Sequence, residues 1–316
     1  MKIVSLKYDI TQRALGNQQH PNTTARAIRT GCRRFAKWCT ENDLNKIAKI
    51  ERKGPVNVIQ DYTDYLVERG YSASTIHTYI FPVCRASQVG MNEIKKPART
   101  CTTITRSRDP SKNARGKADL ENPKYRRLVE FQRAVGIRRA ELARLKGCDL
   151  VKDETNGICV RVLKGKGGKG HLQRVLPDDI DIVLRTFAGI KGDQNVFSSA
   201  EMRNNIDLHG LRAEHARKAY DYYCNMSAEE KKTLIYEMSA RWLACHQGCR
   251  TDSPEFKKWY TQLWKNHGFY DLRGENYQRA VDAGCPTRYS RVELMAVSIF
   301  HLSHWRLDVT VKNYML

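Results

Sequence analysis

No run of about 18 apolar residues occurs anywhere in the chain, which excludes a membrane-spanning helix. The opening stretch MKIVSLKYDITQRALGNQQH turns polar after a few positions and lacks the apolar segment of a secretory signal. A cytoplasmic protein without membrane contact is therefore expected. The ten cysteines are scattered and form no dense framework, so in a reducing compartment they read as free thiols, mostly buried. Acidic residues are scarce, 34 against 55 Lys and Arg, which leaves a formal charge of +21. Such an excess concerns partners rather than fold and points to a polyanion, DNA or RNA above all.

What is present fits a folded enzyme-sized chain. Apolar residues make up 41% and charged residues 28% of 316 positions, enough for a packed core and against wholesale disorder. The length suits two domains of roughly 100–200 residues each. Residues 1–120 hold 22 basic and 10 acidic residues, and the remainder holds 33 and 24, so both halves are positive. Two domains sharing one anion fit that balance better than a single basic tail.

The pattern along the chain divides it further. Residues 1–20 read as a loose polar arm. Residues 21–96 read as a self-contained helical domain, with helices over 23–50 (Ile28, Cys32, Phe35, Ala36 and Cys39 at helical steps), 56–69 (stopped by Gly70), and from 72–75 onward. The stretch KPARTCTTITRSRDPSKNARGK from Lys96 to Lys117 reads as a linker, set at 97–118. Beyond it lie helices over 121–134 and 138–147. A hairpin of 157–164 and 172–176 follows around a Gly-rich turn, then a helix over 178–190 and mostly helix from 211 to 301. The fold class expected is mainly α with a small β-sheet or hairpin.

Four segments can carry chemistry. In Gly136-Ile137-Arg138-Arg139-Ala140-Glu141-Leu142, an Arg at a helix start can aim its fork at a phosphate, with Glu141 one turn on to orient it. Alone, that pair also reads as a solvated surface ion pair. The turn Lys164-Gly165-Lys166-Gly167-Gly168-Lys169-Gly170 is either a cationic loop touching a DNA backbone or a lysine delivered as a proton donor. It is not a phosphate-binding P-loop, which needs Ser or Thr after its Lys and a helix behind it. His209-Gly210-Leu211-Arg212 sets two donors on one helical face. The last segment is Leu302-Ser303-His304 with Asp308-Val309-Thr310 and Tyr314 behind it.

Taken in order, these segments resemble the tyrosine recombinases, the phage-integrase family, clearly over about 121–222 and 295–316. The resemblance implies a two-domain architecture: a helical, SAM-like core-binding domain at 21–96 and a mixed α+β catalytic domain at 119–316. It implies Arg138 and Arg212 as the grip on the scissile phosphate and Glu141 as their support. Lys166 is implied as general acid, His209 and His304 as phosphate-bonding and proton-transferring imidazoles, and Tyr314 as nucleophile. Lys164, Lys169, Arg33 and Arg34 are expected to contact DNA. The chemistry needs these types, because fixed cationic donors stabilise charge developing on a phosphoryl group. They also favour the phenolate of a group whose free pKa is about 10. The implied activity is site-specific cleavage and rejoining of double-stranded DNA through a 3′-phosphotyrosyl link, for a prophage or mobile element, with no cofactor and no metal. A homotetramer on DNA follows, with accessory DNA-bending or directionality proteins as further partners. The other reading is a cleavage-deficient, recombinase-like DNA-binding accessory protein.

Two departures from the family pattern stand out. His304 and Tyr314 are ten residues apart, where the family's usual spacing is nine, which puts the register of the tyrosine in question. His209 and His304 are separated by a helical insertion at about 223–290 that holds Cys224, Cys245, His246, Cys249, His267 and Cys285. A zinc site is conceivable there, but the spacing favours free thiols.

Overall fold

A computed structural model of the chain describes residues 5–98, 114–154, 156–163, 165, 170–247, 250–262 and 265–316, apart from a few side chains in 114–115, 238–247, 259 and 266. The chain divides into two units, Met1–Ser107 and Arg108–Leu316.

The first unit is built of helices α1 (Leu6–Leu15), α2 (Asn22–Glu41), α3 (Ile47–Lys53), α4 (Pro55–Glu68) and α5 (Ala73–Ala86). Residues 6–15 are thus a helix, not part of a loose arm. Ser5 caps it by accepting from the Tyr8 N–H, and Leu6, Ile10 and Ala14, four apart, bury one stripe in the unit's core. The long helix expected over 23–50 ends at Glu41. Asn42 turns its side-chain amide onto the Trp38 carbonyl, and Asp43 adopts a left-handed φ of 57°, so the chain leaves the helix and restarts at Ile47. Phe35, Trp38 and Tyr62 meet in the core at 5.1–6.0 Å between ring centroids, Phe35 and Trp38 stacked and Tyr62 edge-on to Phe35. Gly31 lets α2 approach α5: a Cβ there would lie 2.6 Å from the Pro82 ring.

The second unit begins with α6 (Ala114–Glu121), α7 (Arg126–Val135) and the single turn α8 (Arg139–Leu142). The helix expected over 138–147 stops after that turn, because Gly147 and Cys148 donate their N–H groups to Gln194 and Gly192 of a later loop. A three-stranded antiparallel sheet follows, not a two-stranded hairpin: β1 (Leu150–Asp153), β2 (Gly157–Val162) and β3 (His171–Arg174), with Val160 facing Leu150 on one side and Gln173 on the other. Next come α9 (Ile180–Phe187), α10 (Ser199–Met202) and α11 (Leu208–Cys224). Helix α11 joins two cores. Leu208 and Leu211 pack with Leu128, Phe131, Val160 and Phe197, while Ala213, Ala216, Ala219 and Tyr223 pack with Leu294, Phe300 and Val311.

The insertion holds α12 (Ala228–Gln247), α13 (Pro254–Gln262) and α14 (Gly274–Asp282), the last flanked by an unforeseen ribbon of β4 (Phe269–Asp271) and β5 (Arg288–Ser290). The chain closes with α15 (Arg291–Val297), a π-turn at Ser298–Leu302, α16 (Leu307–Thr310) and a second π-turn at Val311–Met315. Of the cysteines, Cys32, Cys39, Cys84 and Cys159 are buried free thiols, and burial raises the thiol pKa of each to about 11 or 12. Cys148 and Cys224 are exposed. Cys245, His246 and Cys249 lie outside the described side chains.

Candidate active site

Two buried amides lace together the backbone that carries the candidate residues. Gln132 on α7 donates to the carbonyls of Ile137 (2.8 Å) and Leu208 (2.7 Å), the residues just before Arg138 and His209. Gln173 on β3 donates to the carbonyls of Val135 and His301, both at 2.6 Å. A primary amide has two N–H donors, so each Gln ties two chain segments that are far apart in sequence.

Between those ties sit the two arginines. Gly136 ends α7 in the left-handed region (φ 65°), which turns its carbonyl onto Arg212 Nη1 at 2.7 Å. The Leu302 carbonyl accepts from both guanidiniums, Arg212 Nη2 at 2.8 Å and Arg138 Nη2 at 3.2 Å. Glu141 Oε1 takes Arg138 Nη1 at 2.7 Å, and Oε2 takes the Arg138 backbone N–H at 2.8 Å and lies 4.0 Å from Arg212 Nη1. Burial alone would raise the Glu141 pKa. The hydrogen bonds and charge of Arg138, joined by Arg212, outweigh it and hold the carboxyl below its usual range. Arg212 is 1% exposed and Arg138 is partly exposed. Two guanidiniums against one carboxylate leave a positive charge that an anion would neutralise.

The histidines and the tyrosine close around Arg212. His209 stands in the first turn of α11, where Asp207 Oδ1 takes its backbone N–H at 3.1 Å. The Tyr314 ring lies 5.1 Å from the His209 ring and 5.6 Å from the His304 ring, on which it stacks, and the Arg212 guanidinium carbon is 5.7 Å from its centroid. Tyr314 is 5% exposed, and its carbonyl accepts from Arg217. It sits in the second π-turn. A π-turn takes about one more residue than an α-turn. That turn falls between His304 and Tyr314 and lengthens the path by about the one residue in question.

Sequence reasoning did not single out several residues here. Ser303, left-handed at φ 52°, links the shared Leu302 carbonyl to His304. The Ser303 hydroxyl, His304 Nε2, Arg212 Nε and His171 Nε2 are shielded from solvent and have no hydrogen-bond partner among the described residues. All four belong to groups that can donate, and buried polar atoms are rarely left unpaired without a role. Below them runs a buried chain. Tyr223 O–H meets His301 Nε2 at 2.9 Å, His301 Nδ1 meets His215 Nε2 at 2.9 Å, and His215 Nδ1 meets the Arg133 carbonyl at 3.0 Å. The carbonyl can only accept, so His215 donates to it, His301 donates to His215 and Tyr223 donates to His301. Every imidazole in the chain is then neutral.

The four shielded histidines predict an acid-sensitive fold. Burial lowers the pKa of His215 and His304 to about 3 and of His171 to about 4, and pushes His301 well below its ordinary 6.5; nearby cations deepen each shift. The unfolded chain therefore binds protons first. Stability is full above about pH 6.5 and falls as pH drops toward 3–4, by about 1.4 kcal/mol per unit for each histidine so affected. Glu141 works in the same direction only below its ordinary 4.5. Urea unfolding at pH 7, 6 and 5 should show a falling midpoint, and a flat profile over that range would refute the neutral wiring.

Of the remaining expected residues, Lys164, Lys166 and Lys169 lie outside the described residues. Arg33 is exposed on α2 and lines a concave surface with Lys7, Arg26 and Arg29. Arg34 is exposed too but engaged, bonding the Tyr71 hydroxyl at 3.3 Å with its guanidinium 4.8 Å from the Tyr79 ring centroid.

The chain is similar to two solved structures. One is the Tn1549 transposon integrase in complex with transposon right end DNA: 13% identity, 98% of this chain and 95% of that chain covered, TM-score 0.39. The other is XerA recombinase: 16% identity, 89% and 98% covered, TM-score 0.25. No family model and no curated protein matches the sequence.

Proposed function

We propose that the chain is a tyrosine-type site-specific DNA recombinase, serving a prophage or mobile element. One observation carries the reading: the Tyr314 phenol lies against Arg212, His209 and His304, while Arg138 and Arg212 share the Leu302 carbonyl and the Glu141 carboxylate. A scissile phosphate would neutralise the excess positive charge of the arginine pair. The phenol oxygen forms its bond to phosphorus as the bond from phosphorus to the 5′-oxygen breaks. The phenol proton passes to an imidazole, for which neutral His304 with its unpartnered Nε2 is suited. Lys166 supplies the proton that the departing 5′-oxygen needs. The phosphotyrosyl link keeps the phosphodiester energy for rejoining, so no cofactor is used. Two duplexes and four cleavages require four copies of the chain on DNA, with bending or directionality proteins as accessories. The 21–96 helical unit, with Arg33 on its surface, would complete the grip on the duplex, and 119–316 would be the catalytic domain.

The test is to recover DNA covalently attached to the protein from cells carrying the element, sequence it, and locate the modified peptide. Nucleotide on Tyr314 at a defined junction is the expected result. Arg138→Ala should lower the yield of adduct roughly 10²- to 10³-fold, the loss seen on removing one transition-state donor. Duplex affinity should stay nearly unchanged, because other cationic contacts supply it. Loss of affinity in proportion to loss of adduct would favour a plain basic DNA-binding module.

A further inference from the structure

Strand β3 carries a residue whose position is set by its neighbour. Gln173 points at the segments that hold the arginines, since its amide bonds the carbonyls of Val135 and His301. The next carbonyls along those segments, Gly136 and Leu302, are the ones that take Arg212. Side chains alternate along a strand, so His171, two residues before Gln173, faces the same way. It pairs with Val162 at the last register position of β2–β3, at the root of the Gly-rich turn. Its Nε2 is shielded from solvent and has no partner among the described residues.

We infer that His171 is a third imidazole donor to the phosphate that Arg138 and Arg212 hold, placed there by the alternation of β3 and by the Gln173 tie. The inference rests on the phosphate-site reading above. Its surroundings agree with that role. Burial is the largest influence on the ring and keeps it neutral, with a pKa of about 4; Glu141 opposes, and Arg212 and Arg138 reinforce. A neutral imidazole adds an N–H without adding repulsion to an already cationic site, and an arriving phosphate reverses the balance by favouring imidazolium. The charged groups that act on it are Glu141, Arg212 and Arg138, and the same two arginines act on His304.

The experiment is imidazole NMR of the full chain labelled in histidine, with resonances assigned through His171→Gln and His304→Gln. Inorganic phosphate is added at constant pH and constant ionic strength, with chloride as the control ion. The expected result is that the resonances of both His171 and His304 shift with phosphate and not with chloride, those of His171 toward the imidazolium values. Movement of His304 alone overturns the role of His171 and leaves the phosphate site standing. Movement of neither overturns the phosphate-site reading along with it. Once a target duplex is known, His171→Ala should slow single-turnover cleavage about 10²-fold with unchanged duplex affinity. His171→Asn, which keeps an N–H donor, should recover part of that loss; a purely structural histidine would show no such recovery.

Discussion

Tyr314→Phe should remove covalent capture of DNA altogether while the protein folds and binds duplex as before. The substitution deletes one oxygen and keeps the ring that stacks on His304 and lies beside His209 and Arg212. The ring is 5% exposed and packs in a core with Val311 and Met315, so its apolar contacts survive. Loss of a nucleophile costs on the order of 10⁶ in rate, which for this reaction means no detectable adduct. The decisive measurement is a denaturing gel of protein with a nicked cognate duplex, run beside a binding isotherm. The hydroxyl of Ser303 stands next to the same site. Adduct persisting in Tyr314→Phe would shift the nucleophile to another side chain and break the proposed mechanism.

The largest structural effect is expected at Gly136. Its φ of 65° costs a residue with a Cβ roughly 1–2 kcal/mol. In addition, that Cβ would lie 2.6 Å from His215 Cδ2 and 2.9 Å from Cγ. His215 cannot step aside, because both ring nitrogens are bonded, one to the Arg133 carbonyl and one to His301. Overpacking of this kind adds about 1–3 kcal/mol, so Gly136→Ala should lose about 2–5 kcal/mol in all. The Gly136 carbonyl holds Arg212, so activity should fall further than stability explains. Gly157→Ala is the control: its φ is 69°, but nothing lies within 4 Å of the added Cβ. Equal losses for the two variants, measured by urea unfolding, would show that the His215 contact is not the constraint described.

Much of the site was legible because its residues announce themselves by type and order. Arg138, Glu141, His209, Arg212, His304 and Tyr314 stand in short segments whose spacing is meaningful before any fold is known. The helices of the first unit were legible by periodicity, except where polar end signals were missed. Asn42 and Asp43 end α2 early, and the Leu6, Ile10, Ala14 stripe of α1 was hidden among polar residues. The strands β1, β4 and β5 were missed because three or four residues are too short to show a period.

The cationic character, the helical class and the roster of candidate side chains were readable from residue type and local spacing. How they meet follows from the folded backbone: Gln132 and Gln173 lace the segments, one carbonyl at Leu302 serves both guanidiniums, a π-helical turn carries Tyr314, and His171 lies two positions before Gln173 on β3. Those facts depend on backbone groups and on contacts between positions up to 164 residues apart, which no local pattern encodes.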